Sequence, residues 1–161
     1  MTAAPLASHA EPVRPEWIDY NGHMNVAYYV VAFDNATDAF FDALGFDAAW
    51  RARTGRSFFA VEAHVRYLGE LRLGQRLAVE TRLLAADAKR LHYFHTMRAE
   101  GARPVAATFE CLSVHVDMAT RRAAPFDAAD LARAQAAAAA HALLPPPEGV
   151  GRAVSMRASR T

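Results

Sequence analysis

Apolar residues recur at steps of three and four from Val26 to Leu44, a spacing that predicts a long helix. Asn25 is the expected N-cap of this helix, and Gly45 is the expected end. Further apolar residues fall outside the main stripe, at Tyr28, Val31 and Ala32. Because they widen the apolar surface, we expect this helix to be buried on more than one side.

From Ser57 onward the period changes to two, which predicts strands. The stretch "FFAVEAHVRYL" alternates between two faces of the first strand. One face carries Phe59, Val61, Ala63, Val65 and Tyr67, and the other carries Phe58, Glu62, His64 and Arg66. Three more alternating segments follow, at 77–84, 91–99 and 105–117. The turns between them fall at intervals typical of long antiparallel hairpins.

The two ends of the chain add one element each. Residues 10–18 contain Pro12 and Pro15, which are tolerated at sheet edges, so an edge strand is expected there. An Ala-rich segment follows Asp127 and predicts a C-terminal helix. Residues 47–55 are either a short second helix or a loop that ends at Gly55.

This order of elements predicts an α+β fold. A long central helix with a wide apolar face is covered by a curved antiparallel sheet of about five strands, and a C-terminal helix follows. The expected organisation is a flexible N-terminus (1–9), one domain (10–120), a helical extension (121–144) and a flexible tail (145–161). A single sheet of this size leaves an edge unpaired, so two copies are expected to pair edge to edge.

Composition excludes several classes of protein. The 161 residues suit one domain, and 18 basic against 17 acidic side chains give a net charge of +1. We therefore expect neither a nucleic-acid partner nor a membrane-surface partner. The single cysteine, Cys111, excludes an intrachain disulfide. Without a signal-peptide pattern or an 18-residue apolar stretch, a cytoplasmic protein is expected.

The stretch "DYNGHMNVAYY" places several polar groups directly before the predicted helix. The first backbone N–H groups of a helix lack intrahelical partners and carry partial positive charge, which suits a developing oxyanion. Asp19 precedes Val26 by seven residues, and a loop containing Gly22 can fold its carboxylate back toward those amides. A carboxylate beside an oxyanion binder is an arrangement suited to acyl transfer.

Each of these residues also has a purely structural interpretation. Asp19 can cap a turn, His23 can be a satisfied structural histidine, and Asn25 can serve only as a cap. Tyr28 and Tyr29 can be core or interface aromatics. The residue types alone do not choose between these interpretations.

The same stretch resembles the Asp-x-x-Gly-His-x-Asn-x-x-Tyr signature of hot-dog-fold acyl-CoA thioesterases of the 4-hydroxybenzoyl-CoA thioesterase type. The resemblance covers residues 10–120 and includes "VEAHVRYLGELRLGQRL". It implies a helix wrapped by an antiparallel sheet, and a homodimer or dimer of dimers with active sites between subunits. It also implies acyl-CoA as the substrate, with no cofactor and no metal.

The resemblance assigns roles to single positions. The catalytic carboxylate falls on Asp19, which either attacks the thioester carbonyl or activates a water, and both routes stay open. The oxyanion-binding amide falls near Asn25 or Val26, and Asn25 is therefore included in the catalytic set. The substrate-binding residues on this loop and helix are Gly22, His23, Val26 and Tyr28.

A closer resemblance concerns the acyl group. Together with the motif, "DAAWRARTG", "DAKRLHYFHTM" and "CLSVHVD" resemble thioesterases linked to carnitine breakdown, which cleave betainyl-CoA. Aromatic faces can hold its trimethylammonium group, so Phe58, Phe59 and Tyr67 are assigned to the substrate. Other aromatics available for this role are Trp50, Tyr93 and Phe94, and each of these six rings can instead be a core residue.

Charged residues complete the predicted site. Glu62 interrupts an otherwise apolar strand, and it is either an outward-facing strand residue or a carboxylate that reaches the site across the dimer to position water or face the cation. The anionic phosphates of CoA are matched by cations on or beside the hairpins. These are Arg66, Arg72, Lys89 and Arg90, which can equally be solvated surface charges. No metal site is predicted, since His92 and His95 fall on opposite faces of a strand.

Two other functions compete with the thioesterase. The first is a hot-dog acyl-CoA hydratase or dehydratase, which would pair His23 with Asp34 or Asp38 on the helix. The second is a non-catalytic dimer that binds acyl-CoA, for which Asp19 would be dispensable. The presence of Asp19 in the full motif favours the thioesterase.

Overall fold

The computed structural model describes residues 6–156, which form three α-helices and one antiparallel sheet. The helices are α1 (Val26–Ala43), α2 (Ala48–Thr54) and α3 (Ala128–His141). The strands are β1 (Leu6–Pro12), β2 (Arg56–Tyr67), β3 (Arg76–Ala86), β4 (Arg90–Ala99), β5 (Val105–Asp117) and the short β6 (Arg122–Ala123). A single 3₁₀ turn, Pro15–Trp17, lies between β1 and α1.

The strands follow the order β1-β3-β4-β5-β2, and β6 pairs with β5. β2 therefore lies at one edge of the sheet. α1 lies against the inner face, and its side chains Phe33 and Phe40 are completely buried. They meet inward-facing strand residues such as Met97 and Tyr93. This is the predicted hot-dog fold, a helix wrapped by a curved antiparallel sheet.

The predicted helix boundaries are confirmed by their caps. The side-chain oxygen of Asn25 accepts from the amide of Ala27, and that of Asp127 accepts from the amide of Asp130. α1 ends before Gly45, which has a φ of 81° that favours glycine. The segment 47–55 proves to be a helix.

The edge strand expected at 10–18 was misplaced. β1 spans Leu6–Pro12, so residues 6–9 belong to the sheet and not to a flexible N-terminus. Pro15 instead begins the 3₁₀ turn, where its fixed φ suits a first helical position. Residues 1–5 of the predicted flexible segment lie outside the described chain.

A β-bulge changes the predicted faces of β2. Ala60 pairs with Ser113 and Glu62 with Leu112, which leaves Val61 as the extra residue. Phe58 consequently faces inward with Val65 and Tyr67, whereas Phe59 faces outward with Glu62, His64 and Arg66. The predicted alternation was right on the C-terminal side of the bulge and wrong for the two phenylalanines.

The chain after α3 crosses the outer face of the sheet. We call residues 145–152 the C-terminal strap. The guanidinium of Arg82 donates to the carbonyl of Pro145, and the amide of Gly151 donates to Glu110 Oε2 at 2.7 Å. Phe94, whose side chain points outward from β4 between these two contacts, is only 2% exposed. The predicted flexible tail thus begins with a segment that contacts the sheet, and residues 157–161 lie outside the described chain.

Candidate active site

The Asp19 loop is a tight hairpin that precedes α1. Ile18 and Met24 pair across it, the amide of Asp19 donates to the carbonyl of His23 at 3.1 Å, and the amide of Gly22 donates to the carbonyl of Asp19 at 2.9 Å. Gly22 has a φ of 77°, which a residue with a side chain adopts only with strain. These contacts fold the loop back and bring Asp19 to the start of the helix.

Both carboxylate oxygens of Asp19 accept hydrogen bonds. The amide of Asn21 donates to Oδ1 at 2.8 Å, and the side-chain amide of Asn25 donates to Oδ2 at 3.0 Å. The Asn21 amide is the main cause that lowers the pKa of Asp19, and Asn25 and His23 add to it. The half-buried carboxylate is therefore ionised at neutral pH.

Asn25 connects this carboxylate to the helix. Its side-chain oxygen accepts from the backbone amide of Ala27 at 3.0 Å, and its backbone amide donates to the carbonyl of Trp17 at 2.8 Å. Of the two amides predicted to bind an oxyanion, the Asn25 amide is therefore occupied. The Val26 amide, the first in α1, has no acceptor among the described residues, and it lies at the positive end of the helix dipole.

A shallow cavity of about 270 Å³ opens beside this helix start. The hydroxyl of Tyr67 donates to the carbonyl of Val26 at 3.3 Å, and the side chain of Tyr67 remains 46% exposed. One wall is fixed by Tyr29, whose hydroxyl donates to the carbonyl of Gly69 and accepts from the amide of Leu71. The lining residues are His23, Met24, Val26, Tyr29, Tyr67, Leu68, Gly69 and Glu70.

Comparison with known proteins places this chain in a family. The family model of the thioesterase-like superfamily matches residues 13–137, which include the Asp19 loop, α1 and the four long strands. The chain belongs to the thioesterase-like superfamily. Its enzyme class is that of a thioester hydrolase.

Individual relatives agree with this assignment. A betainyl-CoA thioesterase of Pseudomonas aeruginosa is 42% identical over 151 residues, which cover 94% of this chain and 95% of that protein. An L-carnitine dehydrogenase/betainyl-CoA thioesterase of Rhizobium meliloti is 36% identical over 155 residues, 96% of this chain but 31% of the larger protein. A Staphylococcus aureus protein solved in complex with CoA superposes with a TM-score of 0.87 at 27% identity, covering 98% of both chains.

Three of the predicted substrate residues of this thioesterase lie together at the cavity: His23, Val26 and Tyr67. The ring of His23 faces Glu70 across 3.9 Å, and its Nδ1 lies 3.2 Å from the carbonyl of Met24. Tyr28 lies on the other side of the helix start, where it stacks on Trp17 at 5.7 Å. Gly22 shapes the loop and does not line the cavity.

The other predicted aromatics lie elsewhere in the chain. The ring centroids of Phe58 and Phe41 lie 4.5 Å apart. Phe41 follows Val26 by 15 residues, about 22 Å along α1, so Phe58 lies far from the helix start within one chain. Phe59 faces outward under the guanidinium of Arg121. The three remaining rings are at most 2% exposed, which agrees with their interpretation as packing residues and not with a contact to the substrate; they are Trp50, Tyr93 and Phe94.

Glu62 is exposed on the outer side of β2. It precedes Tyr67 by five residues, about 16 Å of strand, and it borders a different cavity together with His64 and His92. Within one chain Glu62 and Asp19 therefore do not share a site. A catalytic contribution from Glu62 to the Asp19 site would have to come from a second subunit.

The four predicted CoA-binding cations do not form one site. Arg72 lies near the cavity, paired with Glu70 at 2.9 Å. Lys89 lies in the turn after β3 and Arg90 begins β4, so both are separated from Arg72 by the length of β3, roughly 33 Å. There Arg90 donates to Asp87 at 2.7 Å. Arg66 points to the outer face of the sheet.

Sequence reasoning missed Glu70 and Tyr29 as residues of the site. Glu70 follows the end of β2 by three residues, and hydrogen bonds of Tyr29 and Met24 with the flanking Gly69 and Leu71 bring it to the helix start. The short "GEL" stretch after a strand was the available signal. The helical carboxylates Asp34 and Asp38 lie exposed two and three turns beyond Val26, away from His23.

Among residues 6–156, no helix is long and apolar enough to span a membrane. The same residues contain no group of three His, Cys, Asp or Glu side chains arranged to hold a metal ion.

Proposed function

We propose that the chain hydrolyses a small acyl-CoA thioester to the free acid and CoA, and that betainyl-CoA is its substrate. The carrying observation is the Asp19 carboxylate, bound through Asn25 to a helix start whose Val26 amide is unoccupied. Support for the substrate comes from the related proteins of Pseudomonas aeruginosa and Rhizobium meliloti, because both protein names include betainyl-CoA thioesterase.

In this proposal the thioester carbonyl lies between Asp19 and the amide of Val26. The carbonyl oxygen becomes an oxyanion in the tetrahedral intermediate, and the Val26 amide and helix dipole stabilise it. Collapse of the intermediate expels the CoA thiolate. Asp19 acts either as the nucleophile, giving an anhydride that water then cleaves, or as the base that takes a proton from the attacking water.

The acyl group extends into the cavity beside Tyr67. Its trimethylammonium group has no proton to donate, so recognition depends on aromatic faces and nearby negative charge. The exposed ring of Tyr67 supplies the aromatic face, and Glu70 at the rim of the cavity supplies the negative charge. Arg72, which pairs with Glu70, is the predicted CoA-binding cation nearest to this cavity.

A homodimer completes the site in this proposal. β2 is twelve residues long, lies at the sheet edge and exposes 57% of Val61. Such an edge is a template for pairing with another strand. Antiparallel pairing of two β2 strands would bring the first half of the partner's strand beside Tyr67 of this chain, which gives Phe58, Phe59 and Glu62 a route to the neighbouring site.

The test is thiol release from a panel of acyl-CoA thioesters. We expect release from betainyl-CoA at a kcat/KM at least about tenfold above that for butyryl-CoA, which lacks the cation. Equal turnover of the two would contradict the betainyl assignment but keep the thioesterase. Addition of water to an enoyl-CoA without thiol release, or binding without turnover, would contradict the hydrolase.

A further inference from the structure

A second cavity, of about 200 Å³, lies on the outer face of the sheet beneath the C-terminal strap. Three arginines from three strands border it: Arg66 of β2, Arg82 of β3 and Arg98 of β4. The strap covers it with Pro147 and Glu148. This cavity lies on the opposite side of the sheet from α1 and the Asp19 loop.

Two of the three arginines at this cavity have a buried nitrogen without a protein partner among the described residues. Nη1 of Arg66 and Nη1 of Arg98 are both buried, and neither has a hydrogen-bond partner among the described residues. Arginine stays charged at all physiological pH values, and a buried charged donor without an acceptor is costly. Glu80 and Glu148 also line the cavity. Three positive against two negative side chains leave the lining with one positive charge in excess.

Two hydroxyl groups lie in the same row of the sheet as Arg66. Thr108 of β5 pairs with Arg66, and Thr96 of β4 pairs with Thr108. Both threonines line the cavity. Hydroxyl donors beside planar guanidinium forks suit an anion with several oxygen acceptors in a tetrahedral arrangement.

We propose that this cavity binds a phosphoryl oxyanion, held by Arg66 and Arg98 and covered by the strap. At about 30 Å³ for each water, the cavity has room for such a group with part of its hydration. Arg82 holds the strap through the carbonyl of Pro145. Gly149, with a φ of 98°, lies so close to the Arg66 guanidinium that a Cβ there would overlap it.

The phosphoryl group has two sources, inorganic phosphate and the phosphates of CoA. Leu68, just after the end of β2, borders both this cavity and the one beside α1. A CoA chain that starts at the Asp19 site can therefore pass around the end of the edge strand to reach the arginines. The CoA source rests on the proposed function, whereas the anion site itself does not.

Calorimetric titration of the full chain with inorganic phosphate and, separately, with CoA tests the site. Arg66→Met and Arg98→Met each remove one cation from the cavity, and Arg53→Met removes one from the exposed side of α2 as the matched control. Gly149→Ala displaces the Arg66 head group and strains the strap at a positive φ, without changing any charge. We expect phosphate to bind about 10- to 100-fold more weakly to the three cavity variants and unchanged to Arg53→Met.

The CoA arm identifies the source. A parallel loss of CoA affinity in the cavity variants assigns the site to the phosphates of CoA, and unchanged CoA affinity assigns it to free phosphate. If neither ligand distinguishes the cavity variants from Arg53→Met, the site does not exist. Because these are binding measurements, a failure of thiol release would overturn the proposed hydrolysis without affecting the phosphate result.

Discussion

The side-chain amide of Asn25 donates to Oδ2 of Asp19 at 3.0 Å, while the oxygen of the same side chain caps α1. One residue thus orients the carboxylate and caps the start of the helix, next to the Val26 amide that faces the substrate in our proposal. The two roles can be separated by substitution, because several residues can cap a helix but few can both cap and donate to a carboxylate in this geometry.

Asn25→Ser removes the side-chain amide that donates to Asp19. It keeps the cap, because serine caps a helix about as well as asparagine. We expect the free energy of unfolding to change by less than about 0.5 kcal/mol, and kcat to fall at least about tenfold because the carboxylate loses its orientation. Asn25→Ala loses both functions and should also cost about 1 kcal/mol of stability. Denaturant unfolding and steady-state kinetics measure the two effects. Wild-type kcat in Asn25→Ser would show that the contact to Asp19 is only structural.

Asn25→Asp should change the pH dependence of turnover. The hydrogen bonds from Asn21 and Asn25 lower the pKa of Asp19, so the active carboxylate persists in acid and kcat/KM declines only as the pH falls through that lowered pKa. Asn25→Asp keeps a cap but places a like charge beside Asp19, which raises its pKa. The acid limb of the kcat/KM profile should therefore move to higher pH. Circular dichroism at each pH separates this shift from unfolding, and an unmoved limb would mean that Asp19 is not the titrating group.

Tyr67→Leu tests the cation-binding role of the exposed ring. Loss of a cation–π contact worth roughly 0.5 to 2 kcal/mol should raise KM for betainyl-CoA about 2- to 30-fold and leave butyryl-CoA nearly unchanged. Tyr67→Phe is the matched control, because it retains the ring and loses only the hydroxyl that donates to Val26. Equal effects of Tyr67→Leu on both substrates would indicate general packing and not cation recognition.

His95 makes the fold sensitive to mild acid. It is completely buried between Thr37 and Thr81, and burial lowers its pKa to about 3. In the unfolded chain the His95 ring takes up a proton near pH 6.5. The contribution of neutral His95 to the free energy of unfolding is therefore complete above that pH, and it declines by about 1.4 kcal/mol for each pH unit below it. Between pH 6.5 and 5 most carboxylates remain ionised, so the histidine contribution is separable from theirs.

The control for this effect is a second histidine substitution. Urea unfolding at several pH values measures how the free energy of unfolding declines with falling pH. We expect this decline to be shallower for His95→Gln than for the wild type, although the variant is less stable at neutral pH. His64→Gln, on the outer face of β2, should decline as steeply as the wild type. Equal slopes for His95→Gln and the wild type would show that His95 is already protonated or not buried in solution.

Periodicity was enough to predict α1, the four long strands and α3, because each buries one face and its apolar spacing reports that face. The bulge at Val61 has no comparable signature. It depends on how β2 pairs with β5, and it moved Phe58 into the core and Phe59 to the outer face. The contacts of the strap with Glu110 and Arg82 could not be predicted from the sequence either, because residues 145–152 carry no periodic pattern.

The motif could place Asp19, Gly22, His23 and Asn25 together because they are close in sequence and one hairpin fixes them, and their catalytic and binding roles stay predictions. Residues far apart in the chain were predicted less well. Whether Lys89 lies near Arg72 depends on which ends of the strands meet, and the turn after β3 is at the far end of the sheet. The position of Glu62 relative to Asp19 depends on a second subunit.

Asp19→Asn is the most direct test of the central claim, that the Asp19 carboxylate beside the start of α1 cleaves the thioester. Asparagine preserves the size of the side chain and removes its charge, and Asp34→Asn makes the same change on the exposed side of α1. We predict that thiol release from the best substrate falls about 10²- to 10⁴-fold in Asp19→Asn, with an unchanged fold, and stays at the wild-type rate in Asp34→Asn. Wild-type turnover by a folded Asp19→Asn protein would contradict the account.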